Sequence, residues 1–262
     1  MEIKKMSSTE ALKIGRVFGQ FVLVFSFLFV AFSCNKENPI SNNNIVGTVT
    51  DADGNTYQTV KIGTQVWMAE NLRTTKYNDG TTIPHVTDSA AWCNLTTPGF
   101  CYYNNITNSD SIKKWGALYN WYAVNTGKLS HKGWHVSDTS DWNTLKNYLI
   151  SNGYNYDRTS DSNKIAKSMA TKTDWVTSTA TGAIGNDLNK NNSSGFSALP
   201  GGICNSGSSG IGSYGYWWCY TEPTITEFRQ YGYRLCNNTI DLYLNKGGSH
   251  QVAGCSVRLV MD

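Results

Sequence analysis

The alternation of apolar and polar residues carries the first structural signal. From 45 to 71 the chain reads as short strands and tight turns. GTVT and TYQTVKIG alternate β-branched with polar residues, Asp53-Gly54 and Gly63-Thr64 supply turns, and Val66-Trp67-Met68 forms another short strand. Residues 76–114 are rich in Asn, Asp, Thr and Pro and keep no period, so this long stretch needs a staple, and Cys93 and Cys101 lie inside it. Trp115–Val124 is a dense apolar run that fits either a short core helix or a strand. Ser137-Asp138-Thr139 then offers N-cap groups, and Trp142, Leu145 and Leu149 recur at helical spacing. This predicts an amphipathic helix over 140–151, closed by Gly153. A shorter helix is expected over 162–170, with Ile165 and Met169 inward. From Gly195 the texture turns to strands: after the loop SGFSALPGG come YGYWWCY, FRQYGYRLC, IDLYL and CSVRLVMD, with turns at Asn237-Asn238 and Gly247-Gly248. The pattern predicts one α+β domain over 46–262: a twisted antiparallel sheet, two short helices and long disulfide-stapled loops.

The N-terminus has a different character. Lys4, Lys5, Lys13 and Arg16 accompany an apolar run, Val17–Phe32, broken by Gln20 and Ser26. Basic and apolar regions followed by small residues make a secretory signal, and the run is shorter than the ~20 residues of a spanning helix. Cys34 follows Ala31-Phe32-Ser33, which resembles a bacterial lipobox. Ala31 and Phe32 depart from its usual Leu and small residue, and the same Ala-x-Ser also fits ordinary signal peptidase. The expectation is a lipoprotein signal peptide over 1–33, lipidation at Cys34, and a flexible polar tether over 34–45. Lipid would anchor the protein in the outer membrane, at the cell surface. Asp88-Ser89-Ala90 and Asp110-Ser111-Ile112, short matches to an O-glycosylation sequon of exported Bacteroidetes proteins, lean the same way.

Composition narrows the classes. Only 16% of residues are charged, against about 25% usually, and 13% are aromatic, which excludes a disordered chain. A net charge of +3 is too weak to imply a nucleic-acid partner. With Cys34 assigned to lipid, six cysteines remain as disulfide candidates for an oxidising compartment: Cys93, Cys101, Cys204, Cys219, Cys236 and Cys255. Closeness in sequence favours Cys93–Cys101, Cys204–Cys219 and Cys236–Cys255. Neither a CxxC pair nor zinc-like Cys/His spacing occurs, so no metal or cofactor is expected. His85, His131, His135 and His250 make no HExxH, and there is no GxSxG, so no catalytic residue is assigned. His135, in GWHV, is expected to pack or to bond a loop.

Several stretches together resemble the Fibrobacter succinogenes major paralogous domain. They are GTQVWMAENLRTTKYNDGTTIP (63–84), GALYNWYAV (116–124), GWHVSDTSDW (133–142), SGFSALPGG (194–202), YWW (216–218) and SVRLVMD (256–262). The resemblance implies a C-type-lectin-like fold carried on an exported lipoprotein. The chain departs at Leu259 and Met261, where the family commonly has Cys and Arg. Calcium-dependent lectins of that architecture use a Pro-containing Glu/Asn loop and a Trp-Asn-Asp strand; here Glu222-Pro223-Thr224 gives half a loop and no Trp-Asn-Asp follows. In such folds ligands usually meet the C-terminal sheet and the loops above it, a region that here holds Tyr214, Tyr216, Trp217, Trp218, Tyr220, Tyr231, Tyr233 and Tyr243, with Arg229, Asn237 and Asn238 nearby. Alternation sets Trp218 and Tyr220 on one face and Trp217 and Cys219 on the other. If Cys219 is buried, Trp217 belongs to the core while Trp218 and Tyr220 point outward, unless these rings too fill the core. The expected function is non-catalytic binding of a glycan or protein partner. Its rivals are an accessory subunit of an outer-membrane transport assembly and an envelope enzyme of the formylglycine-generating type, which uses paired reactive cysteines.

Overall fold

The computed structural model describes residues 45–220 and 229–262. The leader, Cys34, the tether and Glu222-Pro223-Thr224 lie outside them. Among the described residues no helix is long and apolar enough to cross a membrane.

The chain opens with β1 (Ile45–Thr50), β2 (Thr56–Ile62) and β3 (Gln65–Met68), which run antiparallel as the alternation requires. Gly63, at a φ of 63°, begins the two-residue turn between Ile62 and Gln65. The irregular stretch then yields α1 (Ser89–Cys93), β4 (Phe100–Cys101) and α2 (Ser109–Trp115). Asp88 and Asn108 cap the two helices. Trp115–Val124 resolves into both expected forms, β5 (Leu118–Tyr119) and α3 (Trp121–Val124). Asn120 stands between them, and its side chain caps α3 through Ala123 N, accepts from Gly99 N and donates to Thr97 O.

β6 (Trp134–Val136) precedes α4 (Thr139–Ser151). Asp138 and Asp141 form a reciprocal capping box at the start of α4, and Trp142, Leu145 and Leu149 are its buried residues. α5 is shorter than expected, Ala166–Met169, with Ile165 and Met169 fully buried. There follow β7 (Ile203–Cys204), β8 (Ser208–Ser209), β9 (Tyr214–Trp218), β10 (Arg229–Cys236), β11 (Tyr243–His250) and β12 (Leu259–Met261). Gly247-Gly248 is not a turn. It lies within β11 at a register irregularity, where Gln230 pairs with Ser249 and Gly232 with Asn245.

The main sheet has the order β1-β2-β3-β12-β6, and a second sheet has the order β11-β10-β9. The architecture is α+β, with antiparallel sheets and few, short helices. Both faces of the main sheet are covered. Trp67 and Val260 join α4, Phe196, Trp217 and Tyr233 in one core; Met68 and Leu259 join Tyr119, Trp121 and Trp218 in another. That is why QVWM and LVM read as continuous apolar runs rather than alternating ones. In the first core Trp142 meets Trp67 edge-on at 5.1 Å and stacks on Tyr233 at 4.6 Å. Each such pair contributes roughly 0.5–1.5 kcal/mol beyond burial.

One polar cluster ties these layers together. Arg258 is fully buried; its Nε donates to Asn71 Oδ1 (2.9 Å), Nη1 to Met68 O (2.7 Å) and Phe196 O (3.0 Å), and Nη2 to Ser197 O (2.9 Å). Asn71 Oδ1 also accepts from Trp217 Nε1 (3.0 Å), while its Nδ2 donates to Trp115 O (3.0 Å). Two donors on one side and a carbonyl on the other fix the orientation of the Asn71 amide. Gly116, at a φ of 79°, lets the backbone come this close: a Cβ there would lie 2.6 Å from Asn71 Cβ. Burial pushes the Arg258 guanidinium down to about 9, which leaves it charged at neutral pH.

The expected staple between Cys93 and Cys101 is not seen, and all six described cysteines are free thiols. Cys93 Sγ faces Asn205 O at 3.7 Å, whereas the Cys101 and Cys204 thiols bond to each other. Cys219 meets Thr139, and Cys236 meets Asn238. Cysteines close in sequence therefore make their contacts elsewhere. The hydrogen bonds of Asn120 hold the loop that a disulfide was expected to hold.

Two outcomes follow from this packing. Asn71→Ala strands Trp217 Nε1 and Arg258 Nε in the core, and should lower unfolding free energy by about 3 kcal/mol in urea titrations; a loss below about 1 kcal/mol contradicts the role given to Asn71. The second concerns His135, whose Nε2 meets Asp141 Oδ2 (2.8 Å) and whose Nδ1 meets Asp262 Oδ1 (2.7 Å). The Asp141 hydrogen bond raises His135 to about 9 against the opposing effect of burial. Its contribution is complete below the ordinary histidine value and fades as pH rises through about 9. The ring is 39% exposed, so solvent screening holds the effect to about 1 kcal/mol or less. The stability gap between wild type and His135→Asn should narrow between about pH 6 and pH 10, and a constant gap contradicts it.

Candidate functional site

The second sheet has two unlike faces. Its inner face carries Trp217, Tyr233, Leu235 and Leu244, which pack into the core around α4. Its outer face follows from the register, in which Arg234 lies opposite Tyr216 on β9 and opposite Tyr243 on β11. Tyr214 and Tyr216 are half-buried there, with ring centroids 5.8 Å apart, and Tyr243 is exposed. The Arg234 guanidinium carbon sits 4.8 Å from the Tyr243 ring centroid and 5.8 Å from that of Tyr214. Such contacts hold a cation in place without neutralising it.

This face fronts a cleft of about 590 Å³. Tyr216, Arg234 and Asn245 form its floor; Asn205, Ser206 and Ser209, around the β7–β8 hairpin, form one wall. His250, Val252 and Ala253 close another side, and the exposed Cys93 stands at the end of α1. Burial raises the Tyr216 hydroxyl above its usual range, with Arg234 opposing, so the phenol stays protonated and can donate as well as accept. The cleft offers hydroxyls, amides, an imidazole, a ring face and one guanidinium. Among the described residues it contains no carboxylate, and no group of three or more His, Cys, Asp or Glu could hold a metal ion.

The residues expected to bind a ligand fall into separate groups. Tyr216 lines the cleft and Tyr214 adjoins it. Trp218 does not point outward: it is 0% exposed, its Nε1 donates to Tyr119 O (2.7 Å), and Trp121 of α3 covers it at 5.4 Å. Alternation assigns it the face of Tyr216, but α3 supplies a second core on that side. Tyr220 is half-buried and stacks on Trp121 at 6.0 Å, away from the cleft. Tyr233 is buried against Trp142, so it too contacts no ligand. Asn237 braces the fold, giving its carbonyl to Gly185 N (2.7 Å) and its amide to Val176 O (3.3 Å). Asn238 is exposed and accepts from Cys236 Sγ (2.9 Å). Cys34 lies outside the described residues, as do the side chains of Arg229 and Tyr231. Sequence reasoning missed Arg234, Asn245, Asn205, Ser209 and His250. For Arg234 the signal was present in Tyr233-Arg234-Leu235, a lone cation between two inward apolar residues.

Fold and site define a class: an α+β domain in which an aromatic-rich antiparallel sheet floors a polar surface cleft. The chain belongs to the Fibrobacter succinogenes major domain family, whose model matches residues 60–261. β1 and the first half of β2 precede the matched residues, yet they pair into the same sheet. No curated protein and no solved structure matches the chain.

Proposed function

We propose that this protein is an exported lipoprotein of the bacterial envelope, with a C-type-lectin-like domain that binds a glycan without catalysing a reaction on it. One observation carries the binding reading: a polar cleft floored by Tyr216 and Arg234 on a sheet whose other face is locked into the core. A floor set before binding loses little conformational freedom on binding. Asn and Ser side chains match sugar hydroxyls in size and bonding capacity, and a tyrosine ring offers the flat apolar face that a pyranose presents in return. Lipid on Cys34 would hold the domain at the outer membrane, with residues 34–45 giving it reach. In an oxidising compartment the pair placed to close is Cys101–Cys204, each thiol giving up its hydrogen to an incoming disulfide donor, which leaves as two thiols.

Two experiments test this reading. Tyr216→Ala should weaken binding to the best-retained glycan of an array by about tenfold, with the urea midpoint nearly unchanged; undiminished binding moves the site off this cleft. Intact-mass and peptide mapping of protein taken from membranes should find a diacylglycerol adduct on Cys34 as the mature N-terminus and a Cys101–Cys204 link. An unmodified chain that keeps Met1 and its free thiols contradicts export.

A further inference from the structure

Arg234 hydrogen-bonds the Tyr216 hydroxyl but has no carboxylate partner among the described residues. It sits mid-strand in β10 between buried Tyr233 and Leu235, so alternation commits its side chain to the cleft. Its Nε is buried and has no hydrogen-bond partner, and none of the ion pairs among the described residues includes it. Other buried cations here are satisfied. Arg258 donates to four oxygen acceptors, Arg73 pairs with Glu70, and Lys167 donates to carbonyl oxygens and to Asn191 Oδ1. Tyrosine faces brace the Arg234 guanidinium but accept none of its Nε hydrogen-bonding capacity. A half-buried guanidinium lining a cleft, with no carboxylate beside it among the described residues, fits one ligand group best, a carboxylate, which can take two parallel hydrogen bonds from its nitrogens.

We propose that the cleft selects sugars bearing a carboxylate, the uronic acids, with the acid group on the Arg234 guanidinium and the ring toward Tyr216. The proposal rests on the glycan-binding reading above and adds the charge of the ligand. The sugar, rather than an acidic peptide, is favoured by the remaining lining: Asn205, Ser206 and Ser209 bring short hydroxyl and amide groups to the same cleft as the tyrosine. Such a wall suits a ring of hydroxyls, and the aliphatic lining beside it is limited to Ile203, Val252 and Ala253.

The test uses the full chain and a defined panel: polygalacturonate, alginate and hyaluronan, each beside its carboxyl-reduced neutral form, with poly-glutamate as a separate arm, all read by affinity electrophoresis. Wild type should retain at least one uronate polymer and bind its reduced form about tenfold more weakly or worse. Arg234→Gln should lose the same factor at an unchanged urea midpoint, and Arg234→Lys should recover only part of it. If Arg234→Gln fails to fold, the comparison of acidic with reduced polymer on wild type still decides. Equal binding of acidic and neutral forms, or full binding by a folded Arg234→Gln, overturns the carboxylate proposal and leaves the glycan reading standing. Retention of poly-glutamate alone, or of nothing in the panel together with a blank glycan array, overturns both.

Discussion

A buried guanidinium answered by one asparagine and three carbonyl oxygens is the constraint on which this fold depends. Taking Arg258 out of water costs several kcal/mol, and the cost is offset only if nearly every donor finds an acceptor. Asn71, Met68, Phe196 and Ser197 supply those acceptors from two distant parts of the chain. The cluster forms only when the end of β3, the loop before β7 and the start of β12 are all in place. A hydrophobic core with eight buried tryptophans could collapse in several ways. The directional demands of Arg258 and Asn71 select one of them.

The same cluster reaches the cleft. Trp217 gives its indole N–H to Asn71, and Trp217 and Tyr216 are neighbours on β9 that point to opposite faces. Whatever fixes Trp217 therefore fixes the floor of the cleft behind it. Ser256, two residues before Arg258, pairs with both Tyr216 and Trp218 through its backbone. The cleft face is thus an extension of the packing of the main sheet, with Arg234 as the one strong charge lining the cleft among the described residues. On the binding reading proposed above, a rigid floor with Arg234 would discriminate by charge, and the short polar residues on the hairpin wall would supply the adaptable part of the contact.

Much of the local structure was legible in the sequence because it rests on local rules. α4 was readable from its N-cap and from Trp142, Leu145 and Leu149, and β2 and β10 from alternation. Long-range facts were not. Asn71 and Arg258 are 187 positions apart, and nothing in ENLRT or SVRLV announces that they meet. Trp218 shows the boundary well: its parity along β9 was readable, but its burial depends on Trp121, a residue of α3 that comes to lie over it. The contact between Cys101 and Cys204 was out of reach for the same reason, since these residues are 103 positions apart and become neighbours only through the fold. Gly247-Gly248 looked like a turn because glycine suits a bulge within a strand as well as a turn between strands. Arg234 was within reach, masked by the attention that the surrounding aromatic residues attract.

The central claim is that the main sheet and the cleft sheet are one cooperative unit coupled through Asn71 and Arg258. Native-state amide exchange tests it directly. The amide of Leu72, which bonds Val257 beside the main sheet, and those of Trp218 and Ser256, which join β9 to the segment leading into β12, should open with one common free energy close to that of global unfolding. If Trp218 and its β9–β10 neighbours exchange through a separate, cheaper opening while Leu72 and β12 stay protected, the two sheets are independent and the account is wrong.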